Sequence, residues 1–558
     1  MVISEEQLFD LLSGSGYLSL QQLKDAKETV TSEQVSLYDA LVEKDFISDE
    51  NLGKIIAEFL KLPFISLEKV FIQQEVLRII PEDLARRKKI IAFGQETSGL
   101  KIAAAHPEDT VTIQFLAQKI GQPIQVYYAT ERDITNAMHF YKKDLQEQFD
   151  KLLKEQVQIA NTSASKEAPI TKIVDLLIEY AYFNKASDIH LEPRSTNSLT
   201  RFRIDGVLHD VLFLPSSLHS QVIRRIKVLA KLRTDEHFSA QDGKMQVTLD
   251  EEILDVRVSI APVVQGEDAV LRLLSSKSRQ FSLSDLGMAD RDLEKIKTNY
   301  KKPYGMVLVT GPTGSGKTTT IYSILKILNT REKNIATIED PVEYEIKGIN
   351  QIQVNPNTNL TFADGLRSLL RQDPDIIFVG EIRDSETADI AINSAMTGHL
   401  VVSTLHTNDA ATAIPRFIDM KIEPFLIAST VNVIVGQRLV RKICANCRVS
   451  YTQQISVLMK HFPETVIRKY FGEANEVRMY QGKGCPICHF IGYIGRVGIF
   501  EILEITEPIR TLITGKADSD VIRKKAIEEG MSTMFEDGFS KIQQGMTTME
   551  EVLRATKE

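Results

Sequence analysis

Gly311-Pro312-Thr313-Gly314-Ser315-Gly316-Lys317-Thr318-Thr319 is the stretch from which the rest of this chain can be read. It holds a complete G-x-x-x-x-G-K-[ST] loop. An apolar run, 306–310, precedes it and an expected helix over 319–328 follows, which is the context such a loop requires. The glycines let backbone N–H groups close around phosphate oxygens, and the helix N-terminus adds positive potential. Lys317 has the reach for β- and γ-phosphates, and the Thr318 hydroxyl can ligate Mg²⁺. Residues 311–319 are therefore the candidate site for ATP, with Mg²⁺ as its companion.

Outward from the loop, three more short apolar runs (335–338, 376–379 and 400–405) alternate with helical segments. That is the pattern of a parallel sheet buried on both faces, so a doubly wound, RecA-like α/β domain is expected over 284–558. Carboxylates stand where such strands end, the edge at which α/β sheets bind ligands. One group is Thr337-Ile338-Glu339-Asp340-Pro341-Val342-Glu343, whose acids could orient a water or hold a metal. The other run, from Asp373 to Asp384, carries Glu381 with Arg371 and Arg383 around it. Glu381 is placed to meet Mg²⁺ or its water, because Mg²⁺ takes hard oxygen ligands. His399 and His406 bracket the next strand and are candidates for sensing the γ-phosphate or for an interface.

Upstream, a helix over 169–184 and six alternating segments (188–191, 200–204, 207–213, 245–249, 253–260, 269–274) read as an α+β domain spanning 169–283. Before it, 139–168 reads as a linker that runs into the polar tail after Asn161. The first sixty residues repeat at an offset of 29: Leu8, Asp10 and Leu12 line up with Leu37, Asp39 and Leu41. Each copy reads as an apolar helix, a turn, a serine cap (Ser19, Ser48) and a second amphipathic helix. With a compact α/β segment after it, this N-terminal module is expected to occupy 1–138.

Several stretches together resemble the secretion ATPase superfamily behind type II secretion and type IV pili. Besides the loop, the two acidic elements and the histidines, these are Ala186–Pro193, Arg201–Gly206, Asp255-Val256-Arg257, Leu271-Arg272 and Gly545–Arg554. The resemblance covers about 170 to 555. It implies Glu339 as the acid that polarises water, Glu381 as the Walker B acid, and a PAS-like fold for the α+β domain. Arg203, Arg257 and Arg272 become candidates to reach a neighbouring subunit's nucleotide. The family also implies a homo-hexamer that drives an inner-membrane platform protein, in type IV pilus assembly or, alternatively, type II secretion. The loop Lys231–Gly243 keeps Gln241-Asp242-Gly243 but lacks the basic run that relatives carry ahead of it. The N-terminal repeat resembles a module that binds cyclic di-GMP in certain members. There each copy opens Arg-Leu-Gly, whereas this chain has Gln7-Leu8-Phe9 and Ser36-Leu37-Tyr38. Docking to a membrane-anchored partner is therefore expected in preference to dinucleotide binding.

The only four cysteines are Cys444, Cys447, Cys485 and Cys488, two C-x2-C pairs separated by 37 residues. Two such knuckles make a closed tetrahedral zinc site with no open position for substrate, so the expected role is structural, within an insert over 441–495. Cys485-Pro486-Ile487-Cys488-His489 also satisfies the haem-attachment pattern, which would leave the first pair unexplained; free thiols are the third reading. A net charge of −8 weighs against a broad nucleic-acid face, and no nucleic acid is expected. With no signal-peptide pattern and no membrane-length apolar run, a cytoplasmic protein held at the inner membrane by partners is expected. A nucleic-acid translocase and a non-hydrolysing nucleotide-binding scaffold remain the readings from other classes.

Overall fold

The computed structural model describes residues 3–556 except 16, 34, 68–69, 71, 97, 139–140, 142–153, 156–158, 160–166, 250–251, 275–281, 356–357, 461–463, 473, 486–487 and 489. The linker expected over 139–168 lies almost wholly outside these residues, as does His489 of the haem-attachment pattern. The chain forms two compact units. One is Leu60–Gln280; the other joins Met1–Phe59 to Phe281–Glu558.

In the first unit, β1 (Ile90–Glu96), β2 (Gly99–Ala104) and β3 (Ile124–Tyr128) form a small sheet, with the helix Thr110–Ile120 crossing between its parallel pair β2 and β3. A six-stranded antiparallel sheet follows, built from β4 (Ala186–Pro193), β5 (Asn197–Ile204), β6 (Val207–Pro215), β7 (Gln241–Leu249), β8 (Glu252–Val263) and β9 (Gly266–Leu274). Its strand order is β6-β5-β4-β9-β8-β7. The helices Glu167–Phe183 and Ser216–Leu229 pack on one face, where Ile173, Leu177, Val222 and Ile226 meet Ile189, Phe202, Val258 and Leu271. Successive strand side chains alternate faces, so Asp188, Arg203, Arg257 and Arg272 are turned to the other side.

The second unit is organised by a seven-stranded sheet and a hairpin. Its strands are β10 (Gly305–Thr310), β11 (Ile335–Glu339), β12 (Asn350–Gln353), β13 (Ile376–Val379), β14 (Leu400–Leu405), β15 (Val431–Ile443), β16 (Arg448–Gln454), β17 (Glu476–Gly482) and β18 (Tyr493–Glu504). The sheet order is β12-β11-β13-β14-β10-β15-β18, parallel except for the pair β15 and β18. Both faces are covered, as β10 itself shows. Met306 and Leu308 enter one core with Ile377 and Val401, while Val307 and Val309 enter another with Ile324, Phe378 and Val402. This is the doubly wound domain read from the apolar runs.

Residues 3–59 form two helix pairs, Glu5–Ser15 with Leu20–Glu33 and Leu37–Glu43 with Asp49–Phe59. All four helices are capped by serine. The Oγ atoms of Ser4, Ser19, Ser36 and Ser48 accept the N–H groups of Gln7, Gln22, Asp39 and Asn51 at 3.0–3.3 Å. The module is fastened to the far end of the helix Lys317–Leu328. There the buried Lys44 ammonium donates to the carbonyl oxygens of Lys326, at 2.8 Å, and Asn329. A lysine suits that position, because the last carbonyls of a helix are unpaired and carry its negative pole. Beside it, Ser284 Oγ donates to Asp45 Oδ1 at 2.7 Å.

Between β15 and β18 the chain makes the β16–β17 hairpin, and the terminal helix Met549–Thr556 closes over its base. Glu551, buried, accepts the Arg441 N–H at 2.9 Å and its guanidinium at 2.6 Å, and Arg554 at 2.9 Å. Burial alone would raise this carboxyl, but hydrogen bonds from Arg554 and Arg441 outweigh it and hold the group at about 2. A depressed folded value means stability that is present above the ordinary carboxylate value of about 4.3 and lost as pH falls towards 2. Glu551→Ala, which strands Arg441, should cost about 3 kcal/mol in the unfolding transition of this unit at pH 7. The difference from wild type should shrink on acidification below about 4 in denaturant titrations.

Candidate nucleotide site

The loop after β10 has the backbone that its glycines were read to provide. Gly316 takes φ 91° as it enters the helix Lys317–Leu328, and Gly311 takes φ 147° where an added Cβ would lie 2.4 Å from the Gln437 carbonyl oxygen. Lys317 turns back into the loop, its Nζ donating to the carbonyls of Gly311 at 2.8 Å and Pro312 at 3.1 Å. Burial lowers its value to about 8, with the Glu381 carboxylate opposing. The amine is thus held in the cradle as a cation at neutral pH. Thr318 and Thr319 follow in the first helical turn.

Because β11, β13 and β14 run parallel to β10, their carboxyl ends share the edge that holds the loop. Glu381, just past β13, accepts Arg383 at 2.6 Å and faces His406 Nε2 at 3.2 Å. Burial, then the Lys317 charge, lower His406 below the usual histidine value, so the neutral ring predominates at pH 7. Lys317, Glu381 and His406 are brought together at this edge. Glu339 ends β11 and is buried. Its carboxylate accepts Thr337 Oγ1 at 2.5 Å, Gln351 Nε2 at 3.1 Å and the Tyr322 hydroxyl. Burial raises this carboxyl, while the three donors oppose the rise.

His399 is not brought to this edge. It precedes β14, whereas His406 follows it, and the six residues of that parallel strand separate them by about 20 Å. Its ring faces the Ser394 carbonyl at 3.0 Å. The strand direction therefore removes His399 from the loop of its own subunit. Arg203, Arg257 and Arg272 lie in the other unit and form one row with Asp188. The register pairs Asp188 with both Arg203 and Arg272, and Arg272 with Arg257. Asp188 binds Arg272 Nε at 2.9 Å and Arg203 Nε at 3.6 Å, which keeps guanidinium groups side by side on one strip of sheet.

Sequence reasoning missed the side chains that brace the site. Gln437, a buried polar residue in the apolar run of β15, donates to the Ser315 carbonyl at 2.8 Å and accepts Thr320 Oγ1 at 2.8 Å. The polar interruption of that run was the available signal. Tyr322 and Gln351 gave none, since a tyrosine on an apolar helix reads as core.

The four cysteine sulfurs all lie within 4.8 Å of one another, with Cys444–Cys485 and Cys447–Cys488 at 3.8 Å and Cys485–Cys488 at 3.7 Å. A tetrahedron with Zn–S bonds of about 2.3 Å has edges of about 3.8 Å, so the donor set fits zinc. Burial pushes the Cys447 thiol up to about 11. At Cys488 burial is outweighed by hydrogen bonds, chiefly from the backbone N–H groups of Cys485 and Gly492, which favour the thiolate.

What the sheet edge assembles is a P-loop nucleotide site, and that sets the class of the protein. Comparison with known proteins gives its kind. Residues 163–554 match the family described as Type II/IV secretion system protein, and residues 60–147 match the MshEN domain. The chain belongs to the type II/IV secretion system protein family, in its PilB and secretion-protein-E branch of ATPases. It is 35% identical to the type IV pilus assembly ATPase PilB of Myxococcus xanthus over 99% of both chains. It is 43% identical to type II secretion system protein E of Pectobacterium carotovorum subsp. carotovorum, over 76% of this chain and 82% of that one. The ATPase DotB of Legionella pneumophila shares the fold, with a TM-score of 0.51 at 21% identity over 68% of this chain and 94% of that one.

Metal analysis of the purified protein should give one zinc per chain. Cys444→Ser should lose it and still bind ATP at Lys317; zinc retained by that variant would remove Cys444 as a ligand.

Proposed function

We propose that this chain is the ATP-hydrolysing subunit of a homo-hexameric motor that powers type IV pilus assembly. It works in the cytoplasm, against an inner-membrane platform protein. The observation that carries the reading is the meeting of Lys317, Glu381 and His406 at the loop, on the same sheet edge as the buried Glu339. Residues 311–319 bind the phosphates of ATP. Thr318 and Glu381 would hold Mg²⁺, which when bound neutralises charge on the β- and γ-phosphates. Glu339 takes a proton from a water whose oxygen attacks the γ-phosphorus. The new P–O bond forms as the bond to the bridging oxygen breaks, and ADP leaves with that electron pair. His406 senses the γ-phosphate beside Glu381, and His399, on the opposite edge, serves a subunit interface. The row of Arg203, Arg257 and Arg272 in the 169–283 domain reaches a neighbour's nucleotide, so closure on ATP moves that domain against the ATPase domain of 284–558.

The duplicated N-terminal helical module favours pilus assembly; the 43% identity to a secretion protein E favours type II secretion as the second reading. At the two places where dinucleotide-binding relatives carry arginine, Gln7 and Ser36 are engaged in helix caps. This module is accordingly assigned to docking. Zinc at the four cysteines is structural.

Purified protein should hydrolyse Mg-ATP without DNA, lose at least a hundredfold in Lys317→Ala, and scatter light as a hexamer with an ATP analogue and Mg²⁺. Turnover that appears only with DNA would make the chain a nucleic-acid translocase. A monomer under those conditions would remove the ring.

A further inference from the structure

Tyr322 lies one turn beyond Thr318 on the helix that the nucleotide loop opens, and its ring is fully buried. The direction of its hydroxyl hydrogen is fixed by its neighbours. A tyrosine hydroxyl has one hydrogen to give and two lone pairs to receive. The Glu343 N–H donates to this oxygen at 3.3 Å, and Gln351 Nε2 approaches it at 3.4 Å. The Gln351 amide cannot be turned round without loss, because its Oε1 accepts the Ile346 N–H at 2.7 Å and its Nε2 also serves Glu339 Oε1 and the Tyr344 carbonyl. Both neighbours are donors, so the hydroxyl hydrogen is left with one acceptor, Glu339 Oε2. The other carboxylate oxygen receives Thr337 and Gln351. Ring packing does not require the hydroxyl: Tyr322 meets Tyr344 edge-on at 4.7 Å and Phe378 at 6.3 Å through its ring alone.

We propose that Tyr322 is a positioning residue for ATP hydrolysis, its hydroxyl holding Glu339 from the helix that carries Thr318. This rests on the reading of Glu339 as the acid that takes the proton of the attacking water. A shift of the loop helix on nucleotide binding is then transmitted to that carboxylate through one hydrogen bond. The groups that face Glu339 are the Tyr322 hydroxyl, the neutral Thr337 and Gln351, and the Glu343 carboxylate, whose charge opposes ionisation. The tyrosine hydroxyl favours the ionised form, so its removal makes the carboxylate take up a proton at higher pH.

The test is Tyr322→Phe in the full-length protein, which keeps the ring and removes only the donor. The kcat for ATP should fall about tenfold and KM should stay within about twofold of wild type. The acid limb of the kcat–pH profile should move to higher pH, a change that a packing role would not produce. Binding of a non-hydrolysable ATP analogue at wild-type affinity shows that the loop is intact. Lys317-dependent turnover in wild type, with the same kcat and acid limb in Tyr322→Phe, would overturn the tyrosine's role and leave the motor reading standing. Wild type without Lys317-dependent turnover would overturn both.

Discussion

Parallel strands that start from one edge of a sheet must all end at the other, and in this protein that constraint assembles the chemistry. From β12 to β15 the ladder runs in one direction, so the nucleotide loop, Glu339, Glu381 and His406 emerge side by side although 95 residues of sequence separate Gly311 from His406. Parallel strands run together this way where helices cover both faces, and β10, β11, β13 and β14 are buried along their whole length. Burial then acts on the site itself. It lowers the proton affinity of Lys317 and raises that of Glu339, and it makes each hydrogen bond to those groups stronger than it would be in water.

The helix that leaves the nucleotide loop is held at both ends. At its start, Gln437 ties Ser315 and Thr320 to β15; one turn further, Tyr322 meets Glu339; at its end, Lys44 of the N-terminal module takes the last carbonyls. Any displacement of this helix is therefore felt in three places: the phosphate cradle, the buried acid and the N-terminal helices. Such a helix suits a machine in which ATP occupancy must move something distant, since a rigid element passes on a small shift without absorbing it.

Some of this was open to a reader of the sequence and some was closed. The loop was legible because φ angles of 80–147° at Gly311, Gly314 and Gly316 admit few other residues, so the backbone dictates the letters. The six strands of the antiparallel sheet and β10, β11, β13 and β14 of the seven-stranded one were legible from their runs, whereas β12, β15 and β18 were not read; the caps at Ser19 and Ser48 followed from their chemistry. Cys444, Cys447, Cys485 and Cys488 converge as their spacing implied, since a closed four-sulfur set leaves little freedom. Which of the two roles suits His399 was closed, because nearness in sequence to His406 says nothing of which end of a strand a residue occupies. Tyr322 and Gln351 were invisible for another reason, and Gln437 showed only as a polar break in an apolar run. Their importance lies in which polar atoms they meet across the sheet, and a periodic pattern records only which side is buried. The fastening of residues 3–59 to the ATPase core was closed in the same way, because Lys44 looks in sequence like any surface lysine.

In the proposed mechanism Glu339 acts after ATP is bound. The direct measurement is ATP affinity and single-turnover phosphate release in Glu339→Gln. That variant keeps the size of the side chain and one accepting oxygen, turns the other carboxylate oxygen into an N–H donor, and cannot take a proton as a base. It should bind Mg-ATP as tightly as wild type and release phosphate at least a hundredfold more slowly, trapping intact ATP. Phosphate release at the wild-type rate would show that another group receives the proton, and that the carboxylate buried at the end of β11 is there to hold the sheet edge together.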